Sequence, residues 1–173
     1  MQKYLSNRQI ISFLADEEVK KENNLLTKEG IIDWIKDLKK EHICLLGYGN
    51  IGKLLYPELN KYQLRVGVKE DADYENLGEI AFYTKDKVTK QNIFRNSDLI
   101  INTVNKPIIQ REDIENSSAY VLDIASSPYG ILEENRKYCQ KYKLYSGIPA
   151  NYDPERAGKI ILKKIKKDME GSI

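Results

Sequence analysis

Short apolar runs alternate with stretches of mixed polar and apolar residues from about residue 42 to the end of the chain. Residues 99–101 and 120–122 are near-continuous apolar runs, which are typical of parallel strands covered on both faces. The pattern predicts strands at about 43–47, 64–69, 79–83, 98–104, 119–125 and 143–147. It predicts helices near 50–61, 90–96, 111–116, 132–142 and 153–169. This alternation indicates an α/β fold with a doubly wound parallel sheet of about six strands and helices on both faces.

The first 41 residues have a different pattern and predict an N-terminal helical extension before a domain over residues 42–173. Residues 16–21 indicate a short charged helix, and Thr27 is expected to cap a second helix. The second helix carries an apolar stripe over residues 31–38, where Trp34 is expected to anchor the core. The stripe is expected to be exposed and so favours a homo-oligomer, because large apolar patches are generally covered by a partner.

Two prolines mark features of the predicted helices. Pro57 falls inside helix 50–61 and lacks a backbone donor, so we expect a kink or a break near Tyr56. Asp153 and Pro154 instead predict a helix start, with Asp153 as the N-cap. The lysines of that last helix are expected to form a solvated face rather than a phosphate or nucleic-acid patch. They are Lys159, Lys163, Lys164, Lys166 and Lys167.

Composition excludes several classes of protein. The chain has 173 residues and a net charge of +2 from 28 basic and 26 acidic residues, a balance that argues against a nucleic-acid partner. No run approaches the roughly 18 consecutive apolar residues of a membrane span, and the N-terminus lacks the apolar core of a signal peptide. Cys44 and Cys139 have no metal-binding spacing, and Cys44 is expected to be a buried, inert thiol. We therefore expect a cytoplasmic protein with no metal site.

The turn between the first predicted strand and the next helix carries a glycine motif, Gly47-Tyr48-Gly49-Asn50-Ile51-Gly52. In this context the motif is typical of dinucleotide binding. Gly47 is expected to allow a tight turn, Gly49 to let the backbone approach a pyrophosphate, and Gly52 to let the helix pack against the strand. The helix N-terminus adds N–H groups and the positive end of its dipole. Such turns also bind other adenine-containing ligands such as S-adenosylmethionine, and this alternative stays open.

The other strand-end loops supply the remaining candidate contacts, because ligands of open parallel sheets lie beyond the carboxyl ends of the strands. After the second strand, an acid would bond the ribose of NAD and a base would meet the 2′-phosphate of NADP. Lys69 and Glu70 are adjacent there, so position alone leaves NADP or NAD open. The further predicted cofactor contacts are Thr103, Val104, Asn105, Ala125, Ser126, Gly147 and Pro149.

Candidate catalytic groups are few. His42 is the only histidine, and its place before the first strand puts it at the end of the sheet away from the ligand. Asp123, near the end of a buried strand, has either a structural role, accepting backbone N–H groups, or a catalytic one. No nucleophile elbow or zinc motif occurs in the sequence. The sequence therefore leaves the catalytic residues unknown.

Four segments resemble the second half of the A subunit of dipicolinate synthase, a family related to the D-isomer-specific 2-hydroxyacid dehydrogenases. They are residues 27–30, residues 46–52, residues 122–130 with the sequence LDIASSPYG, and residues 147–149 with 157–160. The resemblance extends over about residues 10–168. It implies a Rossmann-type NAD(P)-dependent oxidoreductase that transfers a hydride on a dihydrodipicolinate-like acid during sporulation. The family tends to have a basic residue after the second strand, so Lys69 favours NADP.

The sequence also departs from that family. The family has an N-terminal domain that helps to form the substrate cleft. In this chain only 41 residues precede the predicted dinucleotide-binding domain of residues 42–173, so we expect that N-terminal domain to be absent. We therefore expect a second subunit to complete the cleft, since a substrate must be held in attack geometry. The alternative function is a non-catalytic dinucleotide-binding regulatory or partner subunit.

Overall fold

The central sheet has six parallel strands. The computed structural model describes residues 15–69, 77, 79–82 and 92–170. The strands are β1 (His42–Leu46), β2 (Gln63–Val68), β3 (Glu79–Phe82), β4 (Leu99–Asn102), β5 (Tyr120–Asp123) and β6 (Lys141–Leu144). Their order is β3-β2-β1-β4-β5-β6, and every neighbouring pair is parallel. The chain direction across the sheet reverses between β1 and β4, as in a Rossmann-type fold. The predicted doubly wound sheet is confirmed.

Helices cover both faces of this sheet. They are α1 (Glu17–Lys36), α2 (Asn50–Leu59), α3 (Arg111–Ile114), a 3₁₀ helix (Glu133–Tyr138), α4 (Ile148–Tyr152) and α5 (Pro154–Glu170), and residues 92–95 are also helical. None of the helices in the described ranges is both long and apolar enough to span a membrane.

The sheet separates two apolar layers, as the twofold alternation of side chains along a strand requires. Ile43 and Leu45 of β1 pack in the layer that also contains Leu55 of α2. Cys44 and Leu46 point into the opposite layer, where Phe94 is completely buried. The buried Cys44 predicted from the sequence is thus confirmed. Each β1 side chain is 1% exposed or less, except that of His42, so this strand forms the centre of the core.

The N-terminal segment differs from its prediction in two ways. It forms one continuous helix, α1, because Asp16 caps the helix and Thr27 lies within it, donating its hydroxyl to Asn23 O at 2.8 Å. The apolar stripe is covered by the sheet of the same chain, with Ile31 and Ile35 buried in the core. The stripe is therefore not an exposed patch, and the homo-oligomer stays a prediction without that support.

Helix α5 packs differently from the other long helices, because none of its residues is buried. Asp153 caps it as predicted, since its Oδ1 accepts the Arg156 N–H at 2.9 Å. The apolar residues Ile160 and Ile165 of α5 are half-buried, whereas Met169 near its end is 67% accessible. Its lysines lie at the surface as expected, but several pair with acids of α1. For example, Lys163 Nζ lies 2.6 Å from Glu18 Oε1. Ion pairs therefore form much of the contact between α5 and α1.

Three further helix predictions need correction. The predicted helix 132–142 is a 3₁₀ helix that ends at Tyr138, and β6 already begins at Lys141. The loop predicted after the sixth strand contains the short helix α4 instead. Helix α2 continues through Pro57 to Leu59 without a break at Tyr56. It persists although Pro57 donates no backbone hydrogen bond, because the buried Leu55 and Leu59 hold this turn against the core.

Candidate functional site

The glycine turn between β1 and α2 has a conformation that only glycine adopts easily. Gly47 has φ of +95°, and its N–H donates to Gly67 O at 2.8 Å. A Cβ at Gly47 would overlap Thr103 Oγ1, which itself donates to Leu46 O at 2.9 Å. The turn is therefore packed directly against the loop that follows β4.

The other two glycines of the motif have different surroundings. A Cβ at Gly52 would overlap the carbonyl oxygen of Gly47, so the missing side chain lets α2 pack closely on the turn. A Cβ at Gly49 would meet no atom within 4 Å, because it would point into open space at the start of α2. The first turn of α2 contains no acid, and Gly49 provides no side-chain cap. The first N–H groups of this helix thus remain available to an anion.

A cleft of about 700 Å³, the switch-point cleft, lies where the direction of the chain across the sheet reverses. It brings together most of the predicted cofactor contacts from four loops. The predicted residues that line it are Gly47, Tyr48, Gly49, Asn50, Ile51, Lys69, Thr103, Val104, Asn105, Ala125 and Ser126. Gly52 does not line the cleft but packs beneath it. Glu70 lies outside the described residues, so its predicted contact with the cofactor stays a prediction.

Helix α1 forms a wall of this cleft that the sequence did not predict. Lys20 and Asn24 of α1 line it together with the glycine turn. Lys20 and Lys69 therefore give the cleft two cations, from separate elements. The residues of α1 were missed because a local pattern does not specify which part of the fold a helix packs against. The one available signal was the recurrence of polar residues at positions 20, 23, 24 and 27, on one face of a helix.

A second cleft of about 520 Å³ shares Ile124, Ala125 and Ser126 with the first. Gly147 and Pro149 line this second cleft and not the first. It is enclosed by α1, α5 and the loops after β5 and β6. Among the residues that line it, the sequence did not predict Thr27, Tyr129, Tyr145 and Ile160.

The loops after β4 and β5 are held by a buried polar network around Asp123. Its carboxylate accepts hydrogen bonds from Asn102 Nδ2 at 2.9 Å, Gly130 N at 2.8 Å and Ala125 N at 3.3 Å. Tyr142 Oη also donates to it, at 3.3 Å. Burial raises the pKa of Tyr142 far above its ordinary value, and the negative charge of Asp123 adds to this shift. These contacts favour the structural role for Asp123 over the catalytic one.

His42 and Asp98 line neither of the two clefts. His42 begins β1 at the opposite end of the sheet, with Nδ1 3.4 Å from Asp98 Oδ2. The backbone N–H of His42 donates to the same carboxylate, and this hydrogen bond is the main reason that the pKa of Asp98 lies below its ordinary value. Among the described residues, no group of three or more His, Cys, Asp or Glu side chains is arranged to hold a metal ion.

The fold closely matches two solved structures of the dipicolinate synthase A subunit. The protein from Bacillus halodurans superposes with a TM-score of 0.78 at 21% identity, over 96% of this chain and 61% of that one. The Bacillus subtilis protein gives a TM-score of 0.78 at 20% identity, over 98% of this chain and 61% of that one. The chain thus spans about three fifths of the length of these relatives. At such identities the similarity establishes the fold.

A more distant neighbour is an acyclic imino acid reductase solved with NADPH and D-Arg. It has a TM-score of 0.51 and 11% identity, over 90% of this chain and 66% of that one. No protein-family model matches the chain, and a search of curated proteins finds no match.

The two superpositions on the dipicolinate synthase A subunit confirm, at the level of the fold, the similarity inferred from the four sequence segments.

Proposed function

We propose that the chain binds NADP or NAD in the switch-point cleft and acts as the dinucleotide-binding part of an oxidoreductase. The observation that carries the proposal is the glycine turn at the start of α2, whose Gly49 leaves space where a pyrophosphate would approach. The N-terminus of α2 and the cations of Lys20 and Lys69 suit an anionic ligand. The NADPH complex of a reductase of similar fold supports the choice of ligand.

The proposed site residues divide into three groups. Gly47, Gly49 and the first N–H groups of α2 would hold the pyrophosphate. Lys69, directly after β2, would meet the adenosine ribose, where its charge would favour the 2′-phosphate of NADP. The loops of residues 103–105 and 124–126 lie along the path towards the second cleft. When bound, the nicotinamide ring supplies a hydride donor or acceptor.

We propose a dihydrodipicolinate-like acid as the substrate, on the basis of the match to dipicolinate synthase. We further propose that a second subunit completes the substrate cleft, because a substrate must be held in attack geometry beside the cofactor.

A non-catalytic dinucleotide-binding subunit is the second candidate. Two observations favour it among the described residues. His42 lies at the far end of the sheet, and the Asp123 carboxylate already accepts four hydrogen bonds. In this function the chain would report the redox state of the dinucleotide pool to a partner.

Two measurements test these candidates. Thermal-shift titrations with NADPH, NADH and S-adenosylmethionine identify the ligand, because a ligand at 100 times its dissociation constant adds about 2.7 kcal/mol of stability. We expect stabilisation by NADPH or NADH. Stabilisation by S-adenosylmethionine alone would refute the proposal. Turnover of dihydrodipicolinate-type acids, with and without the product of a neighbouring gene, then separates an enzyme from a regulatory subunit.

A further inference from the structure

Two tyrosines of the second cleft each have a cation against the ring. Tyr129 lies in the loop after β5, Tyr145 directly follows β6, and both are half-buried. The Arg136 guanidinium lies 5.3 Å from the ring centre of Tyr129, and Lys143 Nζ lies 4.7 Å from that of Tyr145. Neither cation lines the cleft, so each lies behind its tyrosine as viewed from the cleft. The same arrangement thus occurs on two separate loops.

The charges of Arg136 and Lys143 are not cancelled by a neighbouring acid. Neither residue forms an ion pair with a carboxylate of the described residues. Arg136 Nε is buried and, in the same part of the chain, has no hydrogen-bond partner. The Asp123 carboxylate at the base of the β5 loop is buried, faces four donors and does not line the cleft. Two positive charges therefore act on the cleft through its tyrosines.

Tyr129 is also fixed in an uncommon backbone conformation. Its φ is +68°, in the left-handed region that residues other than glycine rarely adopt. The Tyr129 N–H donates to Ser126 O at 2.9 Å, and the following N–H, of Gly130, donates to Asp123 at 2.8 Å. The surrounding loop thus imposes this conformation on a residue that lines a cleft. Such residues are concentrated at sites that bind ligands.

We propose that the second cleft binds a carboxylate of the substrate, and that Tyr129 and Tyr145 recognise it. A cation on the face of a ring polarises the π electrons towards itself, which makes the phenol O–H a better donor. A hydrogen bond to an ionised carboxylate is roughly twice as strong as one between neutral groups. The two cations add an electrostatic attraction that a neutral ligand does not have. Together these effects favour a carboxylate over a neutral carbonyl of the same shape.

The remaining polar residues of the cleft are compatible with this ligand. The hydroxyl groups of Ser126, Ser127 and Ser146 rotate freely enough to donate to the same carboxylate. Helix α1 supplies an uncharged wall with Asn23 and Thr27. Because Ser126 lines both clefts, a carboxylate bound here would leave the rest of the acid directed towards the switch-point cleft. The interpretation as a substrate site rests on the proposed function, which places the nicotinamide there.

A matched pair of probes tests the preference for charge on the whole chain. Pyridine-2,6-dicarboxylate and pyridine-2,6-dicarboxamide have the same ring and nearly the same shape, but only the first is charged. Calorimetric titration of each is carried out with and without saturating NADP⁺. We expect an affinity about tenfold higher for the dicarboxylate in at least one condition, equivalent to about 1.4 kcal/mol. Equal or tighter binding of the dicarboxamide in both conditions would overturn the proposal, and so would failure of both probes to bind.

Removing single hydroxyl groups locates the bound carboxylate. Tyr129→Phe and Tyr145→Phe keep the rings and should each weaken dicarboxylate binding about fivefold, or about 1 kcal/mol. Tyr138→Phe is the matched control, because the Tyr138 ring also contacts a cation, Arg111 at 4.1 Å, but lines neither cleft. If both cleft variants bind the dicarboxylate as tightly as the wild type, the proposal fails.

Removing a cation from behind a ring tests the electrostatic part. Lys143→Gln should weaken the dicarboxylate about threefold and leave the dicarboxamide unchanged, since the charge attracts only an anion. A purely structural effect would instead change both affinities. Lys141→Gln removes the same charge at the exposed start of β6, outside both clefts, and should change neither. An unchanged ratio of the two affinities in Lys143→Gln would refute the proposed recognition.

Dinucleotide binding is measured first and separately. If NADP⁺ and NAD⁺ both fail to bind while the dicarboxylate still binds through the two tyrosines, the proposed function fails and the carboxylate site stands. If a dinucleotide binds but the dicarboxylate has no advantage over the dicarboxamide, only the carboxylate site fails.

Discussion

The side chains of Asn102 and Asp123 meet at the carboxyl ends of adjacent strands, where Asn102 Nδ2 lies 2.9 Å from Asp123 Oδ1. The two residues are register partners in the β4–β5 pair, and both are completely buried. Asn102 also bonds the backbone of Val104 through its side-chain oxygen and nitrogen. One buried pair thus fixes the two loops that run along the switch-point cleft.

Asp123→Asn should be strongly destabilising although it preserves shape. Every group that contacts the carboxylate is a donor, so the amide nitrogen of Asn would face a donor and leave a buried group such as Gly130 N unsatisfied. We expect a loss of about 2–4 kcal/mol in the free energy of unfolding, measured by urea denaturation. Tyr142→Phe removes only the contact at 3.3 Å and should cost less than about 1 kcal/mol. Equal losses in the two variants would contradict this explanation.

Gly52→Ala should destabilise the fold. The added methyl group would overlap the carbonyl oxygen of Gly47, a backbone atom that cannot move without disturbing the turn. We expect a loss of about 1–3 kcal/mol by urea denaturation. Gly49→Ala is the control, because nothing lies within 4 Å of its added carbon and its φ of −83° suits alanine. The two variants should therefore separate clearly in their urea midpoints.

Gly49→Val should impair dinucleotide binding and leave the fold intact. Its side chain would fill the space at the start of α2 that the pyrophosphate is proposed to occupy. We expect NADPH affinity to fall by at least about tenfold, or 1.4 kcal/mol, in a fluorescence titration. Gly158→Val makes the same change on α5, at a position that lines neither cleft and where a Cβ also meets no atom within 4 Å. Unchanged affinity in Gly49→Val would count against the site.

The two cleft lysines should have different effects on dinucleotide preference. Lys69→Gln should weaken NADPH binding by about fivefold relative to NADH, since one exposed charge pair contributes up to about 1 kcal/mol. Lys20→Gln should weaken both dinucleotides to a similar extent, because Lys20 lines the cleft together with the glycine turn. Lys21→Gln is the control on the neighbouring, exposed position of α1. Competitive titration of both dinucleotides measures these ratios.

The attachment of α5 to α1 should weaken in acid. The backbone hydrogen bond from Val19, together with Lys164, lowers the pKa of Asp16 from 3.8, and the hydrogen bond from Lys163 lowers that of Glu18 from 4.5. Because these carboxyls have lower pKa values in the folded state, their stabilisation is complete above the ordinary values. It is lost as the pH falls through the lower folded values.

Urea midpoints between about pH 6 and pH 3 measure this loss. Glu18→Gln should reduce the pH dependence, because it removes one titrating carboxyl from the contact between the helices. Glu170→Gln, at the exposed end of α5, should not change it. High salt should also lower the midpoint of the wild type more than that of Glu18→Gln, since exposed ion pairs are screened. A pH dependence identical in all three proteins would refute the role of these pairs.

The sheet and the phosphate turn could be predicted from the sequence, because both depend on local patterns. Unbroken apolar runs indicate strands buried on both faces, and Gly47 and Gly52 are glycines for steric reasons that their spacing already reveals. The contacts of Lys69 and Thr103 with the switch-point cleft followed from the rule that ligands lie beyond the carboxyl ends of parallel strands.

The packing of α1 and α5, by contrast, could not be predicted from the sequence and is seen only in the tertiary structure. It depends on contacts between residues more than 100 positions apart, such as Arg156 with Glu29 and Lys163 with Glu18. No periodicity within either helix encodes that pairing. The docking of α1 covers its apolar stripe, brings Lys20 to the switch-point cleft and builds the uncharged wall of the second cleft. Local sequence is thus enough for the phosphate turn, whereas the chemistry of the neighbouring cleft arises from long-range packing.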